Sequence, residues 1–219
     1  MNYTTMKNLR IALLPGLVLL AGCHVGGIIG NGHVVTDTRP VADFSEIAAD
    51  GGFRIEWRNG PPSLTITTDE NLLRYITNEN VDHRLQLHSR GNLWPSHHIN
   101  IVISSTTRSG AKLTGAAQLT ANQLSGPNFA VESTGAAKVH LDGKVDDLVT
   151  DMTGASKLEA DSLQTKTAEI VSTGASKAEV AVSESLKVSI TGAGKVVYSG
   201  NPPTVEKHVS GAGSIRHKD

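Results

Sequence analysis

The C-terminal half of the chain repeats a short phrase, and apolar and polar residues alternate on both sides of each copy. Every second residue is apolar, as at Phe129 and Val131 before one copy and at Val139 and Leu141 after it. A period of two predicts β-strands. The six copies are TGAAQL at 114–119, TGAAKV at 134–139, TGASKL at 153–158, TGASKA at 173–178, TGAGKV at 191–196 and SGAGSI at 210–215.

The spacing of the copies predicts how the strands are arranged. Successive copies begin 20, 19, 20, 18 and 19 residues apart. Such a length at about 3.3 Å per residue gives roughly 60 Å, enough for one lap of a narrow coil. One coil cannot bury its own inner face, but a stack of coils can. We therefore predict an all-β fold, a parallel β-helix with coils of about 19 residues, and right-handed because crossovers usually are.

An antiparallel hairpin for each repeat is the competing geometry. The repeats are too short for a four-stranded propeller blade, and they lack the Asn-Gly or Asp-Gly turns that hairpins prefer. The solenoid is therefore favoured.

Each position of the phrase has an expected role in the stack. The glycine is expected to form a corner at which the alternation changes phase, and the alanine after it is expected to fill the inner angle. The threonines form one outward column, and a second column contains Lys138, Lys157, Lys177 and Lys195. Lysines about 4.8 Å apart repel by roughly 0.9 kcal/mol even in water. Glu159 and Glu179 lie two residues after a lysine and are expected to neutralise part of this charge.

The N-terminal half carries weaker signals. The segment 50–55, DGGFRI, is a degenerate copy of the phrase and is predicted to form a capping coil. Residues 69–76 favour one or two helical turns, and residues 91–96, which include Trp94 and Pro95, favour a loop. Phe53, Trp57 and the repeat aromatics are expected in the core or cap.

The N-terminus has the pattern of an export signal. Lys7 and Arg10 precede an apolar stretch at 11–20, which is too short to span a bilayer as a helix. The residues LAGC at 20–23 resemble the lipobox of bacterial lipoproteins. That resemblance implies cleavage before Cys23 and acylation of its sulfur, and His24 implies release to the outer membrane. A plain secretory signal with a chance cysteine is the alternative.

Three segments follow from these signals. Residues 1–22 are predicted to be a lipoprotein signal peptide, residues 23–32 a glycine-rich tether, and residues 33–219 a single β-helical head.

Composition excludes several function classes. The formal net charge is −1, which argues against a nucleic-acid partner. Cys23 is the only cysteine, so no disulfide can form within the chain and lipidation would leave no free thiol. The histidines at 83, 88, 97 and 98 have poor metal-ligand spacing, and we predict no metal and no cofactor. Acidic residues at 142, 146, 147, 151, 159 and 161 are interpreted as solvated turns in preference to a cation or glycan site.

The chain as a whole resembles a known family. The segments GNGHVVTDTRPVADFSEIAADGGFRIEW and TTDENLLRYI, the repeated TGA or SGA phrases and the closing KHVSGAGSIR look like the bacterial putative auto-transporter adhesin head GIN domain. The likeness runs from about Gly30 to Arg216. It implies a right-handed parallel β-helix exported to the cell envelope, and the family offers no catalytic motif to carry over.

These observations favour a lipid-anchored, non-enzymatic, adhesin-like binding or structural module of the envelope, held in the outer membrane through Cys23. The alternative is a carbohydrate-active or carbohydrate-binding solenoid of the polysaccharide lyase type. The candidate ligand-binding surface comprises the four column lysines, Lys138, Lys157, Lys177 and Lys195, together with Trp94. A glycan or another envelope protein is the expected partner, and exposed terminal coils favour end-to-end self-association.

Overall fold

The computed structural model describes residues 26–218, and nearly all of them belong to one β-solenoid of about five coils. These residues form seventeen strands and a short 3-10 helix at Glu70–Tyr75. The strands are β1 (Ile28–Ile29), β2 (Val34–Arg39), β3 (Glu46–Asp50), β4 (Phe53–Asn59), β5 (Ser63–Asp69), β6 (Ile76–Val81), β7 (Arg84–Ser89), β8 (Leu93–Trp94), β9 (Ile99–Ser105), β10 (Gly110–Gly115), β11 (Gln118–Gly135), β12 (Lys138–Gly154), β13 (Lys157–Gly174), β14 (Lys177–Gly192), β15 (Lys195–Ser199), β16 (Thr204–Gly211) and β17 (Ser214–His217).

Parallel pairing in the repeat region confirms the predicted stack. Strands β10 to β15, together with β16 and β17, all pair in parallel. The register couples Gln118 to Lys138, and then Lys157, Lys177, Lys195 and Ser214 in turn. The spacing of the phrase along the sequence is therefore the register of the sheet.

A single narrow core runs along the solenoid axis. Alternate residues of each coil point inward, and the buried apolar side chains form one continuous cluster from Phe44 to Tyr198. Phe53, Trp57, Phe129 and Tyr198 are all buried, as predicted. Val209 departs from the predicted pattern, because it belongs to the last coil and is 41% exposed.

The corner of each repeat differs from the prediction in two respects. All six corner glycines have positive φ, for example 109° at Gly135, as a tight corner requires. The alternation nevertheless keeps its phase through the corner, since Ser133 and Ala137 are both buried on either side of Gly135. The glycine bends the chain, but the inward-facing residues before and after it still fall on every second position. As a result Ala136 points to solvent, and the next residue, Ala137, fills the inner angle.

The N-terminal end is built from coils that are out of chain order. Strand β3 lies between β10 and β7, and β4 lies between β11 and β9. The degenerate copy at 50–55 is therefore stacked in register under the first repeat, but it is not the capping coil that the sequence predicted. The coil containing β7 and β9 lies outside it, and antiparallel strands β2, β5 and β6 cover the outer edges of that coil.

The two ends of the solenoid are finished differently. At the N-terminal end, Arg39 bridges the 3-10 helix to β6 by donating to the carbonyl oxygens of Leu73 and Ile76. At the C-terminal end, no strand among residues 26–218 pairs with the outer edges of β16 and β17. None of the helices formed by these residues has the length and apolarity that crossing a bilayer requires.

Candidate functional site

The column lysines form a charged face along one side of the solenoid. Lys138, Lys157, Lys177 and Lys195 are neighbours in register, and their side chains are at least partly exposed. The column continues toward the N-terminal end through Gln118, Arg54 and Asn100. The structure therefore brings the four predicted lysines together.

Two glutamates of the adjacent column pair with three of the four lysines and offset half of their charge. Glu159 contacts the ammonium groups of Lys157 and Lys138, the latter at 3.5 Å, and Glu179 pairs with Lys177 at 2.5 Å. The hydrogen bond from Lys157 lowers the pKa of Glu159, and the same bond raises the pKa of Lys157. The face is a column of four lysines beside two stacked glutamates, and among the four lysines Lys195 is the one for which no ion pair is seen within residues 26–218.

Trp94 is not part of this face. It lies beside the outermost N-terminal coil, whereas Lys138 is three coil spacings from Asn100 along the column, a separation of roughly 14 Å. The predicted loop at 91–96 is wrong at Trp94, because Leu93 and Trp94 form the two-residue strand β8, which pairs in parallel with β1. Trp94 therefore lies beyond the N-terminal end of the lysine column.

Residues 27–33, here called the N-terminal strap, are fastened to the end of the solenoid. Backbone hydrogen bonds join Ile28 to Asn92 and Gly30 to Trp94, at 2.8 and 2.9 Å. Gly27 lies so close to the indole of Trp94 that a Cβ would overlap the ring. Residues 23–32 were predicted to be a free tether, and the attachment of the strap to β8 differs from that prediction.

Asp69 is a buried polar anchor of the strap, and Asn71 holds the same segment by accepting from the Asn31 amide at 2.9 Å and donating to the Ile29 carbonyl oxygen at 2.8 Å. Its buried carboxylate accepts hydrogen bonds from the backbone amide of Gly32 at 2.7 Å, from the Ser96 amide at 2.9 Å and from the Ser96 hydroxyl at 2.6 Å. Burial raises the pKa of Asp69, but the hydrogen bonds from Ser96 and Gly32 together outweigh burial, so the net pKa is lowered. Asp69 is thus an ionised group that ties the strap and the 96–98 loop to β5.

A groove opens where neighbouring coils differ in length. It has a volume of about 380 Å³, and its polar lining includes Lys144, Gln164, Lys166 and Glu184. The registers of β13 and β14 shift at this point because β14 takes a shorter path. The change in repeat spacing from 20 to 18 residues was the sequence signal for the groove, although none of its lining residues was singled out.

The acidic residues considered as a cation or glycan site do not converge. Asp146 pairs with Lys166 at 2.9 Å, and Asp147 accepts a hydrogen bond from Thr167 at 2.6 Å. Asp142 accepts from the backbone amide of Gln123 at 3.1 Å.

The histidines are also separated. His88 contacts Asp50 at 3.1 Å, while His97 contacts the Ser96 hydroxyl at 3.0 Å. Within residues 26–218 no group of three or more histidine, cysteine or acidic side chains could hold a metal ion. Cys23, the predicted lipidation site, lies outside the described residues.

Parallel coils, outward columns and a continuous inner core define the class of β-solenoids. The chain belongs to the family described as putative auto-transporter adhesin, head GIN domain, whose model matches residues 43–202. No curated protein matches the chain.

Solved structures share the fold. A putative adhesin from Bacteroides fragilis has a TM-score of 0.73 at 21% identity, and the match covers 88% of this chain and all of that one. A putative lipid binding protein from Parabacteroides distasonis has a TM-score of 0.55 at 20% identity, and the match covers 89% of this chain and all of that one. A putative adhesin from Parabacteroides merdae has a TM-score of 0.53 at 21% identity, and the match covers 88% of this chain and 99% of that one. With the family match, these likenesses make the protein an adhesin-like β-solenoid.

Proposed function

We propose that this protein is a lipid-anchored β-solenoid of the cell envelope that serves as a non-enzymatic binding or structural module. The family description points to the cell surface or envelope. The observation that carries the anchoring is the LAGC sequence at 20–23, which ends five residues before the first strand begins at Ile28. The anchor therefore joins the fold at one end of its long axis and leaves the sides of the solenoid open to a partner.

Replacing the acylated atom tests the anchor. In cells grown with a clickable fatty acid, the wild-type chain should carry the label and fractionate with membranes. Cys23→Ser should abolish the label and keep the larger, uncleaved chain. Labelling of Cys23→Ser at the wild-type level would contradict the proposal.

A second substitution tests the membrane in which the protein resides. His24→Asp should keep the label, but it should shift the protein from the outer to the inner membrane if His24 directs sorting. Wild-type protein found in the inner membrane would contradict the assignment to the outer membrane, and an unchanged distribution in the variant would contradict the sorting role of position 24; both results leave the anchor intact.

The lysine column on one side of the solenoid and Trp94 at its N-terminal end are the two candidate binding surfaces. A glycan array probed with residues 24–219 tests both at once. Lys195→Ala removes the column lysine that has no ion pair within the described part of the chain, and Trp94→Ala removes the exposed indole. Arg58→Ala changes a charge off the column as a control. Loss of a hit with one of the first two variants alone identifies the surface. No hit, or no change in either variant, would contradict glycan binding.

The groove beside Lys144 and Lys166 supports the carbohydrate-active alternative. Its volume suits one or two sugar units, and it carries both cations and the carboxylate of Glu184. Incubation with acidic polysaccharides, followed by measurement of new reducing ends, tests this activity. Product that disappears in Glu184→Gln would favour an enzyme over the non-enzymatic module. Product unchanged in that variant would point to contamination.

The C-terminal edge supports end-to-end association with another copy of the chain. Among residues 26–218 no strand pairs with the outer edges of β16 and β17, and Val209 is exposed there. Sedimentation of residues 24–219 over a wide concentration range should show an oligomer that Val209→Lys dissociates. A strict monomer at the highest concentration would contradict it.

A further inference from the structure

Two large apolar side chains are exposed together at the N-terminal end of the solenoid. Ile29 is 71% exposed and Trp94 is 54% exposed, and they are register partners in the β1–β8 pair. Register partners in a parallel pair point to the same side of the sheet, about 4.8 Å apart. Their neighbours Ile28 and Leu93 are half-buried on the opposite side. Ile29 and Trp94, here called the end patch, therefore form one continuous apolar surface.

The chain that leads to the end patch is short. Gly27, which lies against the Trp94 indole, is four residues after Cys23. Even fully extended, four residues reach roughly 14 Å. The strap is fastened through Asp69 and the β1–β8 pair, so it cannot lengthen the connection to Cys23 without breaking those contacts. An anchor at Cys23 consequently holds the end patch close to the surface in which it is inserted.

We propose that the end patch docks on the phospholipid bilayer that holds Cys23, with Trp94 and Ile29 at the headgroup level. This rests on the proposed lipid anchor. Tryptophan favours the membrane interface because its ring is apolar while its indole N–H is polar. Two side chains alone would bind a membrane weakly, but the anchor makes the contact intramolecular, at an effective concentration in the millimolar range. The N-terminal end then faces the membrane, and the C-terminal coil points away from it.

The chain's two tryptophans allow a direct measurement. Trp57 is 1% exposed in the core, so Trp94 is the one expected to respond to lipid. Residues 23–219 contain the whole described fold, and their only cysteine can be coupled to phosphatidylcholine vesicles that contain a maleimide headgroup lipid. This coupling replaces cellular acylation, so it separates the docking from the proposed anchor.

With brominated phosphatidylcholine in place of the ordinary lipid, the coupled protein should lose Trp94 emission, and its spectrum should shift to the blue. Trp94→Phe should lose both responses, because only the buried Trp57 remains. Ile29→Asp, which leaves both tryptophans in place, should reduce the quenching by introducing a charge into the interface. Near-wild-type circular dichroism of the two variants shows that the fold is kept.

Unchanged Trp94 emission in coupled protein on brominated vesicles would overturn the docking, whether or not cells acylate Cys23. A Trp94 response that depends on protein concentration without vesicles would also overturn it, since a second copy would then cover the patch. Quenching on vesicles combined with no fatty acid label in cells would keep the docking surface and reject the proposed anchor.

Discussion

The carbonyl oxygen of Gly154 occupies the space in which a side chain at Gly174 would begin. A Cβ built on Gly174 would lie 2.6 Å from that oxygen, and the same relation recurs between Gly174 and Gly192. Each corner glycine therefore touches the backbone of the corner below it. The repeated glycine is required both by its positive φ, 113° at Gly174, and by this close stacking of corners.

Gly174→Ala should be strongly destabilising. The alanine must adopt a positive φ and push against a rigid backbone oxygen, so we expect the free energy of unfolding to fall by about 3 kcal/mol. Gly52→Ala is the matched control, because Gly52 has open space around it and no positive φ. Its effect should stay within about 0.5 kcal/mol. Urea denaturation followed by circular dichroism measures both, and equal effects would contradict the corner-stacking argument.

The stack was predictable because its register is written in the sequence. Lys157 lies over Lys138 since the phrase recurs at the coil length, and no long-range information is needed to see this. The orientation of Ala136 was wrongly predicted because a glycine at positive φ can turn the chain without changing the phase of the alternation. That choice is made by backbone geometry, which a pattern of apolar residues does not record.

Features at the N-terminal end depend on contacts between distant segments. Asp69 meets Ser96 and Gly32 only after β5, β8 and the strap have come together, and none of these three residues stands out in the sequence. The coil formed by β7 and β9 is likewise placed at the N-terminal end of the solenoid by its pairing with β3 and β4. In the chain, β5 and β6 separate β4 from β7, so the sequence order does not show this pairing. The groove at Lys166 lies where the repeat shortens from 20 to 18 residues, but a shorter repeat does not by itself show which side chains will line the gap.

Glu159→Gln should make the stability of the solenoid depend on salt. The glutamine leaves Lys138 and Lys157 stacked without their shared carboxylate, so the variant should unfold at a lower temperature than the wild type in low salt. In about 1 M NaCl, where the Debye length is roughly 3 Å, the difference should largely vanish. Glu132→Gln, which removes the partner of Lys112 alone, should show a smaller salt effect. Equal salt dependence in both variants would argue against coupling within the column.

The attachment of the N-terminal strap should weaken in acid. Asp69 has a lowered pKa in the folded protein, so its contribution is fully present above the unfolded value of about 3.9 and is lost as the pH falls through the lower folded value. In a Trp57→Phe background, Trp94 emission should report this transition, because its indole lies on Gly27 of the strap.

Asp69→Asn should remove that transition and leave the strap loose at neutral pH as well. Glu56→Gln changes an exposed carboxylate that pairs with Arg58 of β4 and not with the strap, and it should retain the transition. A transition that survives in Asp69→Asn would show that another group controls the strap.

Trp57 contacts residues of two neighbouring coils as well as its own, so a small change in its side chain should lower the stability of the N-terminal half. Its indole Nε1 donates to Ser105 of β9 at 2.9 Å, and its ring packs against Phe129 of β11 with centroids 6.1 Å apart. Trp57→Phe keeps an aromatic ring but removes the hydrogen bond and leaves a small gap, which should lower the free energy of unfolding by about 1–3 kcal/mol. Ser105 still donates to the Thr107 carbonyl oxygen in the Trp57 variant, so its loss should fall toward the lower end of the range given for Trp57→Phe.

Trp94→Phe, at a half-exposed site, should change the free energy of unfolding by less than about 0.5 kcal/mol. Urea denaturation monitored by circular dichroism compares the two variants without depending on tryptophan emission, and a larger loss for Trp94→Phe would contradict the assignment of Trp57 as the central residue of the N-terminal core.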